Sequence, residues 1–305
     1  MFVAKISGIV IAVVMLMSGF AHAEPILFGQ LRADYDFVDD GDSDKHCCFS
    51  ERGSRLGFKG ASLINQHYEL TYIVEAESDI AGADEIFNEV RQVWAGVRVD
   101  DAEIRMGRHL SPTRVSVVPV DMFVNQGADQ RKILESDKVF DKSVVYLSRI
   151  DRLAYAVALS ADSANNHTAT DFLINYRDDN AYIAAAYLKS DDQQRVSRIA
   201  ATYLLPAGHQ LGLAFEYLND NGIGDDHKAY VVSAGYRLDE QKLMKFQYGA
   251  NKSSAGGRAE TLLGVGLDVS VSDNTTWQFQ YSTNRHINHA GEHDVAVTAG
   301  IAFDF

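Results

Sequence analysis

The sequence predicts an all-β transmembrane protein, an antiparallel β-barrel of about sixteen strands. Three observations predict it. Apolar and polar residues alternate with a period of two along most of the chain. The alternating segments run to about ten residues, the length a tilted strand needs to cross a bilayer. One face of each segment carries Tyr, Phe, Trp and Leu, while the other is polar or small. A soluble sandwich shares the period but puts aromatics inside and charges outside, so this pattern suits lipid outside and water inside.

The first element is not a strand. Residues 1–23, MFVAKISGIVIAVVMLMSGFAHA, hold one Lys5, an apolar run from Ile9 to Met17, and Ala21-His22-Ala23. These are the basic, apolar and cleavage regions of a secretory signal peptide. Residues 24–305 are then expected to form one barrel domain, with no linker, amphipathic helix or composition break.

Sixteen segments begin near Ile26, Ser54, His67, Asn88, Ala102, Lys142, Arg152, Thr170, Ala181, Arg195, His209, Lys228, Gln241, Arg258, Thr275 and Asp294. In HYELTYIVEAES, Tyr68, Leu70, Tyr72, Val74 and Ala76 line one face, with Glu69, Thr71, Glu75 and Glu77 opposite. QLGLAFEYL has Leu211, Leu213, Phe215 and Tyr217 on its apolar face. KAYVVSAGYRL, KLMKFQYGA and TTWQFQYS repeat the arrangement through Tyr230, Phe246 and Trp277. The last segment alternates from Val295 to Phe305, so its apolar face runs to the final residue. Pairing it with FGQLRADYDFV would close the barrel and leave no edge in lipid. Joints such as LPAGH, LDEQ and VSDN are short, whereas DDGDSDKHCCFSERG, LNDNGIGDDH and STNRHINHAGEH are long and polar. Short turns at one end and long loops at the other suit an outer-membrane barrel.

The formal net charge is −14, or −15 once residues 1–23 are removed. That argues against a nucleic-acid partner, which requires a basic face. Cys47 and Cys48 are adjacent and badly placed for an ordinary disulfide; they read as spare thiols of a solvated loop, with a metal or redox site as the alternative. His46, His167, His227, His286, His289 and His293 fall in expected loops, and no G-x-S-x-G or H-E-x-x-H motif accompanies them. His286, His289 and His293 could bind a metal, but a surface loop does not fix the ligand geometry. His109 reads as lumen polarity. No enzyme activity and no cofactor is expected.

Three stretches carry a family resemblance. SRLGFKG (Ser54 to Gly60), EVRQVWAGV and MGRHLSP, together with the signal peptide and terminal Phe305, resemble the Gram-negative general porin family. The resemblance makes Arg55, Arg91 and Arg108 a basic pore wall and Phe305 the terminal assembly residue. VFDKSVVYLSRI keeps Ser143, Val144 and Tyr146 of a further family stretch but lacks its Asn, so no wall role passes to Lys142 or Arg149. Residues 113–141 are the longest stretch without clean alternation, and loops of such length are usually functional. In porins the third loop folds into the lumen. The resemblance therefore sets Asp121, Asp129, Glu135 and Asp137 across from the basic wall, as a constriction with a transverse field. Carboxylate rings favour cations and arginine rings favour anions; with the acidic balance and lumen-facing Glu69, Glu75, Glu77 and Glu216, a modest cation preference is expected.

The expected function is passive diffusion of small hydrophilic solutes and ions through a water-filled channel in the bacterial outer membrane. Outer-membrane lipid is the surrounding partner, and the resemblance adds a homotrimer. Two alternatives stay open: a channel selective for sugars or an anion such as phosphate, and a non-conducting barrel enzyme or adhesin.

Overall fold

The computed structural model describes residues 24–39, 45–50, 53–78, 87–134, 138–162, 167–191, 194–220, 225–254, 259–285 and 293–305. The expected signal peptide lies outside them. Strands β1 (Ile26–Asp39), β2 (Lys45–Ser50), β3 (Arg55–Leu63), β4 (Tyr68–Ser78), β5 (Phe87–Val99) and β6 (Ala102–Leu110) precede the long loop. Strands β7 (Val139–Ile150), β8 (Leu153–Asp162), β9 (His167–Arg177), β10 (Ala181–Ser190) and β11 (Gln194–Leu204) follow it. The set ends with β12 (Gln210–Asp220), β13 (Asp225–Arg237), β14 (Lys242–Ser253), β15 (Glu260–Ser270), β16 (Thr275–Arg285) and β17 (His293–Asp304).

Each strand pairs antiparallel with its neighbours, and β1 pairs with β17 from Gln30↔Asp304 to Asp39↔Val295. The sheet therefore closes. β2 and β3 both lie along β1, at Asp34↔Ser50 and at Gln30↔Arg55 respectively. They form one interrupted stave, so the barrel has sixteen. Closure satisfies the backbone N–H and C=O groups without water, which the hydrocarbon core demands.

Burial is inverted relative to a soluble protein. On β12 the exposed residues are Leu213 (53 %) and Phe215 (45 %), while Ala214 (0 %) and Glu216 (2 %) are enclosed. Exposed Tyr35, Phe58, Tyr187, Tyr236, Trp277 and Phe303 extend the outer apolar surface around the barrel. The enclosed face includes Arg32, Asp36, Asp171, Arg198 and Lys245.

The short joints lie at one end. There Asp178 Oδ1 accepts from the N–H groups of Asn180 (2.9 Å) and Ala181 (2.7 Å), and Asp239 does the same for Gln241 and Lys242. These side-chain bonds replace the ladder where the chain reverses. At the opposite end the strands run further than alternation alone indicates. Residues 45–50, read from the sequence as loop, pair with β1, so Cys47 and Cys48 sit in a strand; both are exposed free thiols. His46, His167, His227 and His293 also fall within strands, whereas His286 and His289 lie outside the described residues. A polar strand keeps its ladder above the bilayer because cross-strand hydrogen bonds do not need an apolar face.

Candidate functional site

The barrel interior has two unlike sides, and the loop between β6 and β7 covers one of them. It opens with a short helix, α1 (Pro112–Val115), where Ser111 Oγ accepts from the Arg114 N–H (3.1 Å) and Pro112 takes the first turn. An N-cap oxygen and a proline at that position suit the first helical turn. The loop then crosses the inner wall strand by strand. Thr113 donates to Asp171 of β9 through its N–H (2.9 Å) and Oγ1 (2.6 Å). Arg198 of β11 donates to the Thr113 carbonyl, Tyr182 of β10 to that of Ser116, and Gln210 of β12 to that of Pro119. Ser233 of β13 donates to Val120 O, and Gln247 of β14 to Ala128 O. Arg32 of β1 donates to Val124 O (2.9 Å) and to Gln278 of β16.

These bonds end-stop an apolar seat. Val117, Val120, Phe123, Ala128, Ile133 and Leu134 of the loop cluster with Ala156, Ala184, Ala186, Ala200, Ala214 and Ala229 of the wall. Small residues at the inward positions of β8–β13 leave room for the loop. On β15, a Cβ at Gly264 would stand 2.3 Å from that of Ala128, and one at Gly266 would stand 2.9 Å from the Phe123 ring. Those glycines make the socket for Phe123, which is fully enclosed.

The uncovered side, β3 to β6, carries interleaved charges. Arg55 and Arg91 both approach Glu75, at 3.4 and 3.5 Å, and Arg91 donates to Glu77 at 2.6 Å. Arg98 bridges Glu69 (2.7 Å) and Glu103 (3.1 Å). Glu103 also accepts from Arg105 (2.8 Å) and from Thr71 (2.6 Å). Arg105 lies over the Trp94 ring at 4.1 Å, and Trp94 stacks on His109 at 5.6 Å. The result is a row of arginines and glutamates along the wall, each guanidinium with a carboxylate. Such a row orders charge across water without a large net field.

The expected site residues divide accordingly. Arg55 and Arg91 come together on the wall. Arg108 does not join them: it pairs in register with Val93, on the face that exposes Val97, Ile104 and Met106. There it binds Glu89 (2.8 Å), Asp141 (2.5 Å) and the Val90 carbonyl (2.6 Å). Unbroken alternation with Ile104 and Met106 puts it there; the irregularity lies on β7, where Asp141 and Lys142 together oppose Arg108 as the register passes from Gly107↔Ser143 to His109↔Phe140. Arg105, three residues before Arg108 and in phase with Glu103, takes the inward position. The alternation in AEIRMGRHL already separates Glu103, Arg105 and Gly107 from Ile104 and Met106; Arg98 and Glu103 follow from the same count.

Asp121 and Asp129 are also corrected. Both are in the loop, but their carboxylates hold the loop's own backbone. Asp121 accepts from Phe123 N (2.9 Å) and Gln247 Nε2 (3.0 Å). Asp129 accepts from Asn125 N (2.6 Å) and Arg131 N (2.8 Å), and pairs with the Arg131 guanidinium at 2.7 Å. Burial, then the charge of Asp129, push the Asp121 carboxyl up to about 7. Glu135 and Asp137 lie outside the described residues. Phe305 is placed by backbone: its N–H and C=O pair with Gly29 (3.2 and 2.9 Å), and its ring stacks on Phe303. Among the described residues no group of His, Cys, Asp and Glu is arranged to hold a metal ion.

The sequence profile described as Gram-negative porin matches residues 10–288. No curated protein matches the chain in sequence. Among solved structures, an anion-selective porin from Comamonas acidovorans is similar, with TM-score 0.76, 16 % identity, and 93 % of this chain and 100 % of that one covered. The outer-membrane expressed OmpT of Vibrio cholerae superposes with TM-score 0.73 at 13 % identity, covering 93 % and 98 %. The outer membrane channel DcaP of Acinetobacter baumannii gives the same values. At such identities these likenesses establish the barrel fold.

Proposed function

This chain belongs to the Gram-negative porin family, and from that premise we propose that it forms a water-filled outer-membrane channel through which small hydrophilic solutes and ions diffuse passively, with a weak preference for cations. One observation carries the reading: a loop seated on the small-residue side of the barrel leaves the Arg–Glu wall of β3–β6 to bound the passage. The wall is close to neutral, with Arg55, Arg91, Arg98 and Arg105 matched by Glu69, Glu75, Glu77 and Glu103. The cation preference is therefore small and rests on the acidic balance of the whole chain, −14 over its full length.

The Comamonas porin is anion-selective; in this chain the pairing of each wall guanidinium with a carboxylate speaks against a strong arginine ring. Residues 1–23 act as a cleaved signal peptide, Phe305 serves barrel assembly, and the working unit is a homotrimer, as one Vibrio cholerae OmpT structure is described in trimer form. Planar-bilayer recording of the refolded chain tests this. Stepwise conductance with a reversal potential slightly on the cation side is expected; a folded, inserted protein that passes no current would refute it.

A further inference from the structure

The interior holds a second feature, below the loop at the short-turn end. A cavity of about 210 Å³ is lined by Arg177, Asp179, Asn180, Tyr182, Thr202 and Gln210. At ~30 Å³ per water it holds roughly seven waters, the bulk of one small amino acid. Arg177 pairs in register with Tyr182 and its guanidinium lies over that ring at 4.8 Å. Unlike Arg55, Arg91, Arg98, Arg105 and Arg198, it meets no carboxylate among the described residues. The ring contact uses none of the guanidinium N–H groups as hydrogen-bond donors to a carboxylate, so they are available to a planar acceptor. The side chains of Asn180 and Thr202 likewise make no hydrogen bond among the described residues.

The two carboxylates lining the cavity differ. Asp178 is used by the turn, accepting from Asn180 N, Ala181 N and Tyr176 Oη, with Arg152 at 4.0 Å. Asp179 is exposed on the same turn and free to face an ammonium. One cavity thus brings together a guanidinium without a carboxylate partner among the described residues, an accessible carboxylate, and the neutral side chains of Asn180 and Thr202.

We infer that this cavity is a binding site for small zwitterions of the α-amino acid type, with the solute carboxylate on Arg177 and its ammonium toward Asp179. A simple anion would feel Asp179 and a simple cation would feel Arg177, so a molecule bearing both charges is the best match. Two lining residues also hold the loop from beneath: Tyr182 through Ser116 O (2.9 Å) and Gln210 through Pro119 O (2.9 Å). A solute here would rest where the passage leaves the loop. The inference rests on the proposed water-filled interior, which the solute can enter from the short-turn end whether or not the whole passage conducts.

Saturation-transfer NMR on the refolded full-length mature chain in detergent micelles, with alanine, acetate or methylammonium as probe, tests it. Alanine should give the strongest transfer. Arg177→Gln should weaken it about tenfold, the loss of one charge-assisted pair, while Arg195→Gln, at the other end of the barrel, should leave it unchanged. Asp179→Asn, on an exposed turn, should weaken alanine and not acetate, and decides the matter if Arg177→Gln does not fold. Acetate or methylammonium matching alanine, or alanine transfer unaffected by Arg177→Gln and Asp179→Asn, would overturn the assignment. Conductance recorded in parallel separates the two readings: current without alanine binding removes the site alone, and alanine binding without current removes the pore alone.

Discussion

At the scale of single residues, the wall and the loop make opposite demands on their charges. Arg91 reaches both Glu75 and Glu77, so Arg91→Ala strips one positive charge and leaves Glu77 without its guanidinium, while Glu75 keeps Arg55 and Gln92. The cation-to-anion permeability ratio should rise roughly twofold, read as a shift of reversal potential under a salt gradient. Arg108→Ala should leave that ratio unchanged, because Arg108 lies on the outer face with Glu89 and Asp141. Asp121 predicts a pH effect. Its pKa is raised from 3.8 to about 7, so between those values the seated loop binds more protons than the released loop. Seating is therefore strongest at and below the ordinary carboxylate range and weakens as pH rises through about 7. Open-channel current noise should grow from pH 6 to pH 8, and Asp121→Asn should flatten that dependence.

At the scale of elements, the loop is a packed object and not a tethered string. Phe123→Ala would open a cavity against Gly264 and Gly266 and cost about 3–5 kcal/mol of local packing. Protease accessibility of residues 111–134 should increase and the single-channel conductance should rise. The loop's existence was legible as the one long break in alternation, and its entry into the lumen came from family resemblance. Its seat was half legible: Ala184, Ala186, Ala200 and Ala214 stand at alternate positions on β10–β12, which marks an inward face of small residues. The orientation of Asp121 and Asp129 was not legible, because an acidic residue in a loop can face water or cap backbone N–H groups, and only the fold decides. Arg108 was misplaced for a different reason. Plain alternation from Ile104 and Met106 puts Arg108 on the outer face, so here the resemblance and the count disagreed and the count was right.

At the scale of the molecule, alternation, segment length and the aromatic outer face were enough to specify a closed barrel. β2 escaped because KHCCFS is polar on a stave that extends past the bilayer. The outer face is the part of the account that lipid tests. Leu213, half exposed in mid-strand, should tolerate Phe, whereas Leu213→Arg should lower folding stability in bilayers by about 2–4 kcal/mol. Denaturant unfolding from lipid vesicles reads this, and an equal cost in detergent and lipid would argue against a membrane-facing position.

The central claim is that the loop leaves an open passage along the β3–β6 wall. Single-channel recording of the refolded chain in planar bilayers, with a salt gradient across the membrane, addresses it most directly. Discrete, ohmic steps with a reversal potential slightly toward cations are predicted. A folded barrel that inserts yet carries no current, or one with strong anion preference, would contradict the account: the first closes the passage, and the second means the wall arginines are not balanced by their glutamates.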